Sequence, residues 1–237
     1  MAYPARLPSR KIVILLRRSG EGTVIVSMKD GEPAPAPIFF LSYAHMDHRE
    51  NRDEIRFFEA LSTHVHELTG SLSGSIVGFM DKTAMRGGER WSPALLEAVG
   101  TCHVFVPLLS MSYLRSRWCA IEWEAFARRP VTPRNTDVPA SGTAILPVLW
   151  SPIRDEKLIH DDVRAVQRFV PHDLGDRVVA AYERDGIYGL RGRRSTMYHA
   201  VAWMLALRIA DVFFSYEVKP GVVAERDFPR PLWGDES

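Results

Sequence analysis

Short apolar runs alternate with amphipathic stretches between residues 38 and 150, and this alternation limits the chain to few folds. The runs are IFFLSY at Ile38–Tyr43, SIVGFM at Ser75–Met80, CHVFVPLL at Cys102–Leu109 and AILPVLW at Ala144–Trp150. Each run is apolar at nearly every position, which is typical of a strand buried on both faces. Helical stretches separate the runs, so we predict a parallel sheet that is covered by helices on both sides.

Periodicity and capping residues predict the helices. The first covers Asp53–Leu68, because apolar residues recur there three and four positions apart. Ser92 and Pro93 are residue types preferred at a helix start, and the helix that they begin should run to about Gly100. Further helices are predicted at Asp161–Phe169, at Arg177–Asp185 and, with Ser195 as the N-cap, at Thr196–Tyr216.

The stretch Arg115–Arg129 predicts a short helix with an unusually placed carboxylate, and Ser116 is its expected N-cap. At about 100° per residue, Glu122 falls near the centre of an apolar face that is formed by Trp118, Cys119, Ile121, Ala125 and Phe126. Glu124 falls on the opposite side, with the arginines. An unpaired carboxylate under an apolar surface is costly. Glu122 therefore has either a structural partner, such as a cap or an ion pair, or a pocket in which it meets a ligand.

The two ends of the chain differ from its middle. Lys11–Leu16 and Thr23–Met28 are rich in β-forming residues and are predicted to form a hairpin, and the proline-alternating stretch Asp30–Pro37 is predicted to be an extended linker. We therefore divide the chain into an appendage at 1–37, a domain at 38–217 and a loose tail at 218–237. Within the domain, the proline-rich stretch Pro130–Ser141 is predicted to be a surface loop.

Composition excludes several classes of partner. The formal net charge is +1, so no strong field attracts nucleic acid or an anionic membrane. The two cysteines, Cys102 and Cys119, form no C-x-x-C pair, which argues against a zinc site and a disulfide scaffold. The longest apolar stretch, Met197–Phe214, contains charged residues and is predicted to be a buried helix rather than a membrane span. No signal peptide is evident, and we expect a cytoplasmic protein.

Four motifs follow one another between Ile38 and Arg129. They are FLSY at Phe40–Tyr43, the strand and loop Phe79–Trp91 with Asp81 and Gly88, the strand Val104–Ser110 followed by Tyr113, and S-x-W-C-x-x-E from Ser116 to Glu122. In this order they resemble a TIR (Toll/interleukin-1 receptor-like) domain. The sequences FFLSYA and GFMD and the extended last third look most like bacterial TIR-like proteins of the FxsC group.

The resemblance implies a flavodoxin-like, three-layer α/β fold with a parallel sheet in strand order 2-1-3-4-5. Ligands bind such sheets outside the carboxyl ends of the strands, where the strand order reverses. In this chain the corresponding crevice lies between Tyr43–Asp47 and Leu109–Tyr113, and the helix of Glu122 begins beside it.

Many TIR domains break the bond between nicotinamide and ribose in NAD+, and the resemblance implies that Glu122 is the catalytic carboxylate of such a reaction. Glycoside cleavage normally needs two carboxyl groups, because the leaving oxygen must be protonated. Nicotinamide is already cationic in NAD+ and leaves as a neutral molecule, so one carboxylate that stabilises the oxocarbenium-like ribose is sufficient. NAD+ is then the substrate, and neither a separate cofactor nor a metal is expected.

The resemblance also places other residues at the site. The expected substrate contacts are Ser42, Tyr43, His45, Asp47, Ser110, Tyr113 and Trp118. The loop that covers the site or contacts a neighbouring domain is expected to include Asp81, Arg86, Gly87, Gly88 and Trp91. Structural alternatives stay open: Trp118 in the core, Ser42 and Tyr43 as a plain strand end, His45 and Asp47 in a solvated loop, and a flexible turn at the glycines.

Three functions remain compatible with these residues. The first is an NAD+ hydrolase or ADP-ribosyl cyclase in bacterial defence or stress signalling that works after TIR–TIR self-association. The second is a non-catalytic adaptor that uses the same fold for homotypic TIR–TIR binding. The third is a sensor that binds NAD+ without cleaving it. The intact W-C-x-x-E motif favours the first, whereas the charge pattern of the Asp81–Trp91 loop and the N-terminal appendage depart from the family and leave room for the second.

Overall fold

The computed structural model describes residues 13–19, 22–26, 36–44, 51–70, 76–81, 93–135, 137, 142–192, 194–221 and 233. Strands and helices alternate along most of this length. In chain order they are β1 (Val13–Ser19), β2 (Gly22–Val26), β3 (Pro37–Ser42), α1 (Arg52–Thr69), β4 (Ile76–Asp81), α2 (Pro93–Thr101), β5 (Val104–Leu109), α3 (Arg117–Ala127), β6 (Val131–Pro133), β7 (Val148–Leu149), α4 (Asp161–Arg164), α5 (Asp176–Leu190), α6 (Ser195–Ser215) and β8 (Tyr216–Val218).

The described strands form one large sheet in the order β2-β1-β4-β3-β5-β7. The four strands β4, β3, β5 and β7 are parallel. When the four predicted strands are numbered along the chain, this is the order 2-1-3-4. The prediction of a flavodoxin-like α/β fold with a parallel sheet is therefore confirmed. The described residues contain no fifth parallel strand. The edge of β7 is met instead by the N–H groups of Phe169 and Tyr188, which donate to the carbonyls of Pro147 and Trp150 at 2.8 Å.

Aromatic packing shows which side chains lie on each face of the sheet. Phe40 of β3 stacks against Phe79 of β4 at 5.3 Å and Phe105 of β5 at 5.7 Å, and Phe105 stacks against Phe126 of α3. The neighbouring Phe39 packs against Phe58 of α1 instead. Because side chains alternate along a strand, Ser42 lies on the face covered by α2 and α3. The opposite face is covered by α1, α5 and α6.

The predicted hairpin is confirmed as the antiparallel pair β1–β2. It also extends the main sheet, since β1 pairs antiparallel with β4 through Val13↔Asp81, Ile14↔Met80 and Leu15↔Phe79. The N-terminal segment thus covers a strand edge that would otherwise expose unpaired backbone groups.

Several predicted local elements are wrong. The Pro130–Ser141 stretch is not wholly a loop, because β6 pairs antiparallel with the distant β8. The Asp161–Phe169 helix is only one turn long, since the chain leaves the helix so that Phe169 can bond to Pro147. Ser195 is the first residue of α6 rather than its cap. Arg194 occupies the cap position, and its side chain bonds to Asp185 instead of capping the helix.

Gly186 allows α5 to approach the end of β7 closely. Its φ is +64°, and a Cβ atom at this position would lie 2.5 Å from the carbonyl oxygen of Trp150. The kink lets the N–H group of Tyr188 reach that same carbonyl. This contact places the Tyr188 ring edge-on to Trp150, with the ring centroids 5.9 Å apart.

The C-terminal tail contacts the domain wherever it is described. Lys219 N–H donates to Pro130 O at 3.0 Å, and Gly221 N–H donates to Gly100 O at 2.9 Å. Trp233 is buried. At these positions the chain is packed rather than loose, and the other residues beyond Gly221 lie outside the described part.

Helix α6 has the length and hydropathy of a membrane-spanning helix, and within the described residues no other helix does. It carries Arg208 and Asp211 on its exposed side and packs against α1 and α5 with residues such as Val201 and Leu205, which are fully buried.

Candidate functional site

Hydroxyl groups fix the beginning of α3 at the carboxyl edge of the sheet. Ser110, directly after β5, accepts a hydrogen bond from the Tyr113 N–H at 3.1 Å, and Tyr113 opens a single 3₁₀ turn that ends at Arg115. Ser116 then accepts a hydrogen bond from the Cys119 N–H at 3.3 Å, which confirms it as the N-cap of α3. These caps satisfy backbone groups that a helix start leaves open.

Helix α3 is buried on more than the predicted face. Its buried residues are Cys119, Ala120, Ile121, Trp123, Ala125 and Phe126. Trp123 was not predicted to be buried, because its contact to Phe105 and to the distant Trp233 follows from tertiary packing. Trp118 and Glu122, one turn apart, are only partly buried. Glu124 pairs with Arg128 one turn later, and its own side chain is only 14% exposed, so it is less solvated than its predicted position among the arginines.

Glu122 is bonded to the end of the first parallel strand. The Ser42 hydroxyl donates to Oε2 of Glu122. Ser42 Oγ also lies 3.2 Å from the Tyr113 hydroxyl, and both Ser42 and Tyr113 are buried. Ser42, which is distant in the sequence from both Tyr113 and Glu122, therefore joins them into one chain of hydrogen-bonding groups that ends on a single carboxyl group.

Burial raises the pKa of Glu122 to about 8, because the charged form loses its hydration. The hydrogen bond from Ser42 opposes this shift, and the negative charge of Asp81 adds to it. Burial likewise raises the pKa of the Tyr113 hydroxyl and of the Cys119 thiol, so both stay protonated at neutral pH. The site without a ligand thus contains a mostly protonated glutamic acid that ionises slightly above neutrality.

A cavity of about 300 Å³ lies at the carboxyl ends of β3 and β5, where the strand order reverses. It opens on the α1 side of the sheet, and Glu122 does not line it. Its lining residues are Tyr43, Ala44, Asn51, Asp53, Glu54, Leu108, Ser110, Met111, Ser112, Trp150, Ser151 and Tyr188.

Charged and aromatic groups line this cavity. Asp53 forms an ion pair with Arg191, and the Arg191 guanidinium lies 4.0 Å from the centroid of the Tyr188 ring. The hydroxyl of Tyr43 donates to the carbonyl oxygen of Asp81 at 2.8 Å, which ties the cavity wall to the end of β4. Burial raises the pKa of Tyr43, so this hydroxyl remains a donor.

The structure brings together several of the residues that were predicted for the site. Ser42, Tyr113 and Glu122 form the hydrogen-bonded chain, while Tyr43 and Ser110 line the cavity on the other face. Trp118 is half-buried one turn before Glu122, and Asp81 lies at the end of β4. The other predicted positions, His45, Asp47, Arg86, Gly87, Gly88 and Trp91, lie outside the described residues.

Sequence reasoning missed Trp150, Tyr188 and Trp233. Trp150 ends the fourth predicted strand, so the rule that sites form at the carboxyl ends of strands could have found it. Tyr188 and Trp233 reach the site through a helix kink and a distant tail, and neither carries a local signal. In the part of the chain that the structure describes, no cluster of His, Cys, Asp or Glu is suited to holding a metal ion.

Comparison with known families gives one clear match. A family model described as "TIR domain" matches residues 39–184, which is more than half of the chain. The matched range runs from β3 into α5 and includes Ser42, Tyr113 and Glu122. A search of curated proteins finds no match.

Proposed function

This chain belongs to the TIR-domain family, and on that basis we propose that it hydrolyses NAD+ at the nicotinamide–ribose bond with Glu122 as the catalytic carboxylate. The observation that carries the proposal is a partly buried carboxyl group that Ser42 holds at the carboxyl edge of a parallel sheet. Open α/β sheets bind their ligands at this edge.

The chemistry needs one anionic group and no general acid for the leaving group. As the C–N bond breaks, its electron pair goes to the pyridinium ring, and nicotinamide leaves as a neutral molecule. The ribose carbon becomes oxocarbenium-like, and the ionised Glu122 stabilises this positive charge. Water then attacks the carbon and loses a proton, which gives ADP-ribose. Attack by a nitrogen of the adenine ring instead would give the cyclic product, which is the cyclase form of the same reaction.

The protonation state of Glu122 suits a cationic substrate. Without a ligand the pKa of Glu122 is about 8. A pyridinium cation placed beside the carboxyl group favours its ionised form and lowers that pKa. The same poor hydration that raises the pKa strengthens the attraction between the carboxylate and the positive ribose. NAD+ therefore promotes the ionisation that its own cleavage requires.

We assign the remaining substrate contacts to the residues around this carboxyl group. Trp118, His45 and Asp47 would contact the nicotinamide ribose, while the buried Ser42 and Tyr113 would hold the carboxyl group of Glu122 towards it. The cavity beside Tyr43 and Ser110 would take another part of the dinucleotide, since Trp150 and Tyr188 offer aromatic faces to a base.

We place this activity in bacterial defence or stress signalling in the cytoplasm. Self-association through TIR–TIR contacts would switch it on, and the loop from Asp81 to Trp91, with Arg86, Gly87 and Gly88, would cover the site or contact the neighbouring domain. The support for this role is the family membership and the resemblance to bacterial members.

The direct test is to incubate concentrated, purified protein with NAD+ and to follow the release of nicotinamide. Glu122→Gln keeps the size and a hydrogen-bonding oxygen but cannot ionise, and we expect nicotinamide release to fall at least ~100-fold. Glu124→Gln is the matched control, since Glu124 lies on the same helix and pairs with Arg128. Equal rates in wild type and Glu122→Gln, or no release by concentrated wild type, would rule out the proposal.

A non-catalytic adaptor is the second candidate, and one observation favours it. Glu122 is hydrogen-bonded to Ser42 and does not line the cavity at the switch point. In that case Arg86→Glu should abolish self-association measured by light scattering, while Glu122→Gln should leave both self-association and signalling intact.

A further inference from the structure

We propose that Trp233, in the C-terminal tail, is a positioning residue for Glu122. The proposal concerns how the carboxyl group is held, and its consequence for turnover rests on the function proposed above. Nothing in the TIR motifs points to this residue, which lies beyond the matched range.

Trp233 is buried among aromatic rings from three separate segments. Its ring centroid is 6.5 Å from that of Tyr113, 5.9 Å from that of Trp123 and 5.9 Å from that of His160. Its side chain is also directed by a hydrogen bond, since the indole N–H donates to the carbonyl oxygen of Tyr113 at 3.4 Å. A buried tryptophan N–H normally has such a partner, and the bond fixes the orientation of the ring.

The first route from Trp233 to Glu122 passes through Tyr113. The Tyr113 carbonyl that accepts the indole bond also accepts the N–H of Ser116, the residue that caps α3. The Tyr113 hydroxyl lies 3.2 Å from Ser42 Oγ, and Ser42 donates to Glu122. Trp233 therefore holds the backbone of Tyr113. The side chain of Tyr113 contacts Ser42, and Ser42 bonds to the carboxyl group of Glu122.

The second route passes through Trp123, which directly follows Glu122. The Trp123 ring meets the ring of Trp233 at 70° and the ring of Phe105 of β5 at 89°. These two edge-on contacts, one to the sheet and one to the tail, restrict the rotation of α3 about its axis. Adjacent residues of a helix differ in direction by about 100°, so the rotation that is set at Trp123 also sets where Glu122 points.

Removal of the indole ring should weaken both sets of contacts that connect Trp233 to Glu122. With no ring between Tyr113 and Trp123, α3 can roll, the Ser42–Glu122 bond weakens and water reaches the carboxyl group. Within the described residues, the groups that interact with Glu122 are Ser42 from β3, Tyr43 directly after it, Asp81 from β4, Tyr113 from the 3₁₀ turn and Cys119 from α3. Asp81 is the only carboxyl group among them and lies on β4 rather than on α3, so hydration of Glu122 is the main quantity that changes.

The test is the titration of the Glu122 carboxyl carbon by NMR, with the resonance assigned by its absence in Glu122→Gln. In Trp233→Ala we expect the midpoint to fall by about one pH unit or more towards the ordinary value. Trp203→Ala is the matched control, because Trp203 lies exposed on α6 against His64, and its midpoint should equal that of wild type. A wild-type midpoint in folded Trp233→Ala overturns the proposal.

Trp233→Phe decides the matter if the alanine variant does not fold. It keeps a ring against Trp123 but lacks the N–H that bonds to Tyr113, and its midpoint should fall by about half a pH unit. An unshifted midpoint in this variant overturns the proposal.

Nicotinamide release provides the second measurement. We expect kcat to fall about tenfold in Trp233→Ala with KM little changed, and to recover most of that loss in Trp233→Phe. If the titrations behave as expected but wild type releases no nicotinamide, the proposed activity fails and the positioning role stands.

Discussion

Glu122 combines a catalytic residue type with poor hydration, and the combination has a thermodynamic consequence. Burial raises its pKa to about 8, while the same carboxyl group in the unfolded chain has the ordinary value of 4.5. Between these values the folded protein binds a proton that the unfolded chain does not bind. Ionisation of this one group therefore works against folding as the pH rises.

The stability of the protein should depend on pH through this group. The stability that the folded protein gains by keeping Glu122 protonated is fully present below pH 4.5 and is lost as the pH rises towards about 8. The free energy of unfolding should fall by at most about 1.4 kcal/mol per pH unit in that window. Urea unfolding of wild type and Glu122→Gln between these limits measures it, and the variant should show a flatter profile. Parallel profiles would contradict the prediction, because other titrating groups such as the partly buried His103 contribute equally to both proteins.

Ser42→Ala should raise the pKa of Glu122 further. The Ser42 hydroxyl stabilises the ionised form, and its removal leaves burial and Asp81 unopposed. The acid limb of the pH–rate profile for nicotinamide release should move up by about one unit, with a lower rate at pH 7.

Ser62→Ala is the matched serine control for this change. Ser62 is a buried serine on α1 whose hydroxyl has no hydrogen-bond partner within the described structure. It should leave the profile unchanged and raise stability slightly. A profile that does not move in Ser42→Ala would contradict the hydrogen bond to Glu122.

At the scale of elements, the sequence predicted best those strands that are buried along their whole length. The strands β3, β4 and β5 are buried at every position, and their uniform apolar runs located them to within two residues. Elements that depend on distant partners were missed. β6 exists because it pairs with β8 more than 80 residues later, and α4 stops early because the edge of β7 needs backbone donors. Periodicity reports local burial and carries no information about such partners.

Gly186→Ala tests the kink that brings α5 to the site. The substitution combines a strained φ of +64° with a Cβ atom 2.5 Å from Trp150 O, so we expect a loss of about 2 kcal/mol or more in unfolding free energy. Gly192→Ala shares a positive φ of +73° but has open space, and it should cost only about 1 kcal/mol. Urea unfolding compares the two, and equal losses would contradict the role of the close approach.

At the scale of the molecule, the sequence predicted the parallel order and the helix that carries Glu122, but not how the parts close on one another. The hairpin was predicted as an appendage, yet β1 pairs with the edge strand of the domain. The tail was predicted to be loose, yet Trp233 is buried beside Tyr113. The partner of Glu122 was predicted only as a cap, an ion pair or a ligand, since the Ser42 contact depends on how β3 and α3 pack.

Removal of residues 1–36 should make the protein associate more strongly. Without β1, the backbone of β4 becomes an open edge that can pair with another chain. Light scattering after size-exclusion chromatography should show a larger mean mass for the truncated chain than for the full chain at equal concentration. Identical masses over the same range would contradict this protective role of the hairpin.

Ser42 and Tyr43 are consecutive residues whose side chains serve opposite faces of the sheet, one bonded to Glu122 and the other lining the cavity. The amide that joins them is planar and stiff. A ligand that tilts this plane when it binds against Tyr43 would also change the angle at which the serine hydroxyl meets the carboxyl group. A backbone shift at the cavity wall would thus reach Glu122 through one peptide unit.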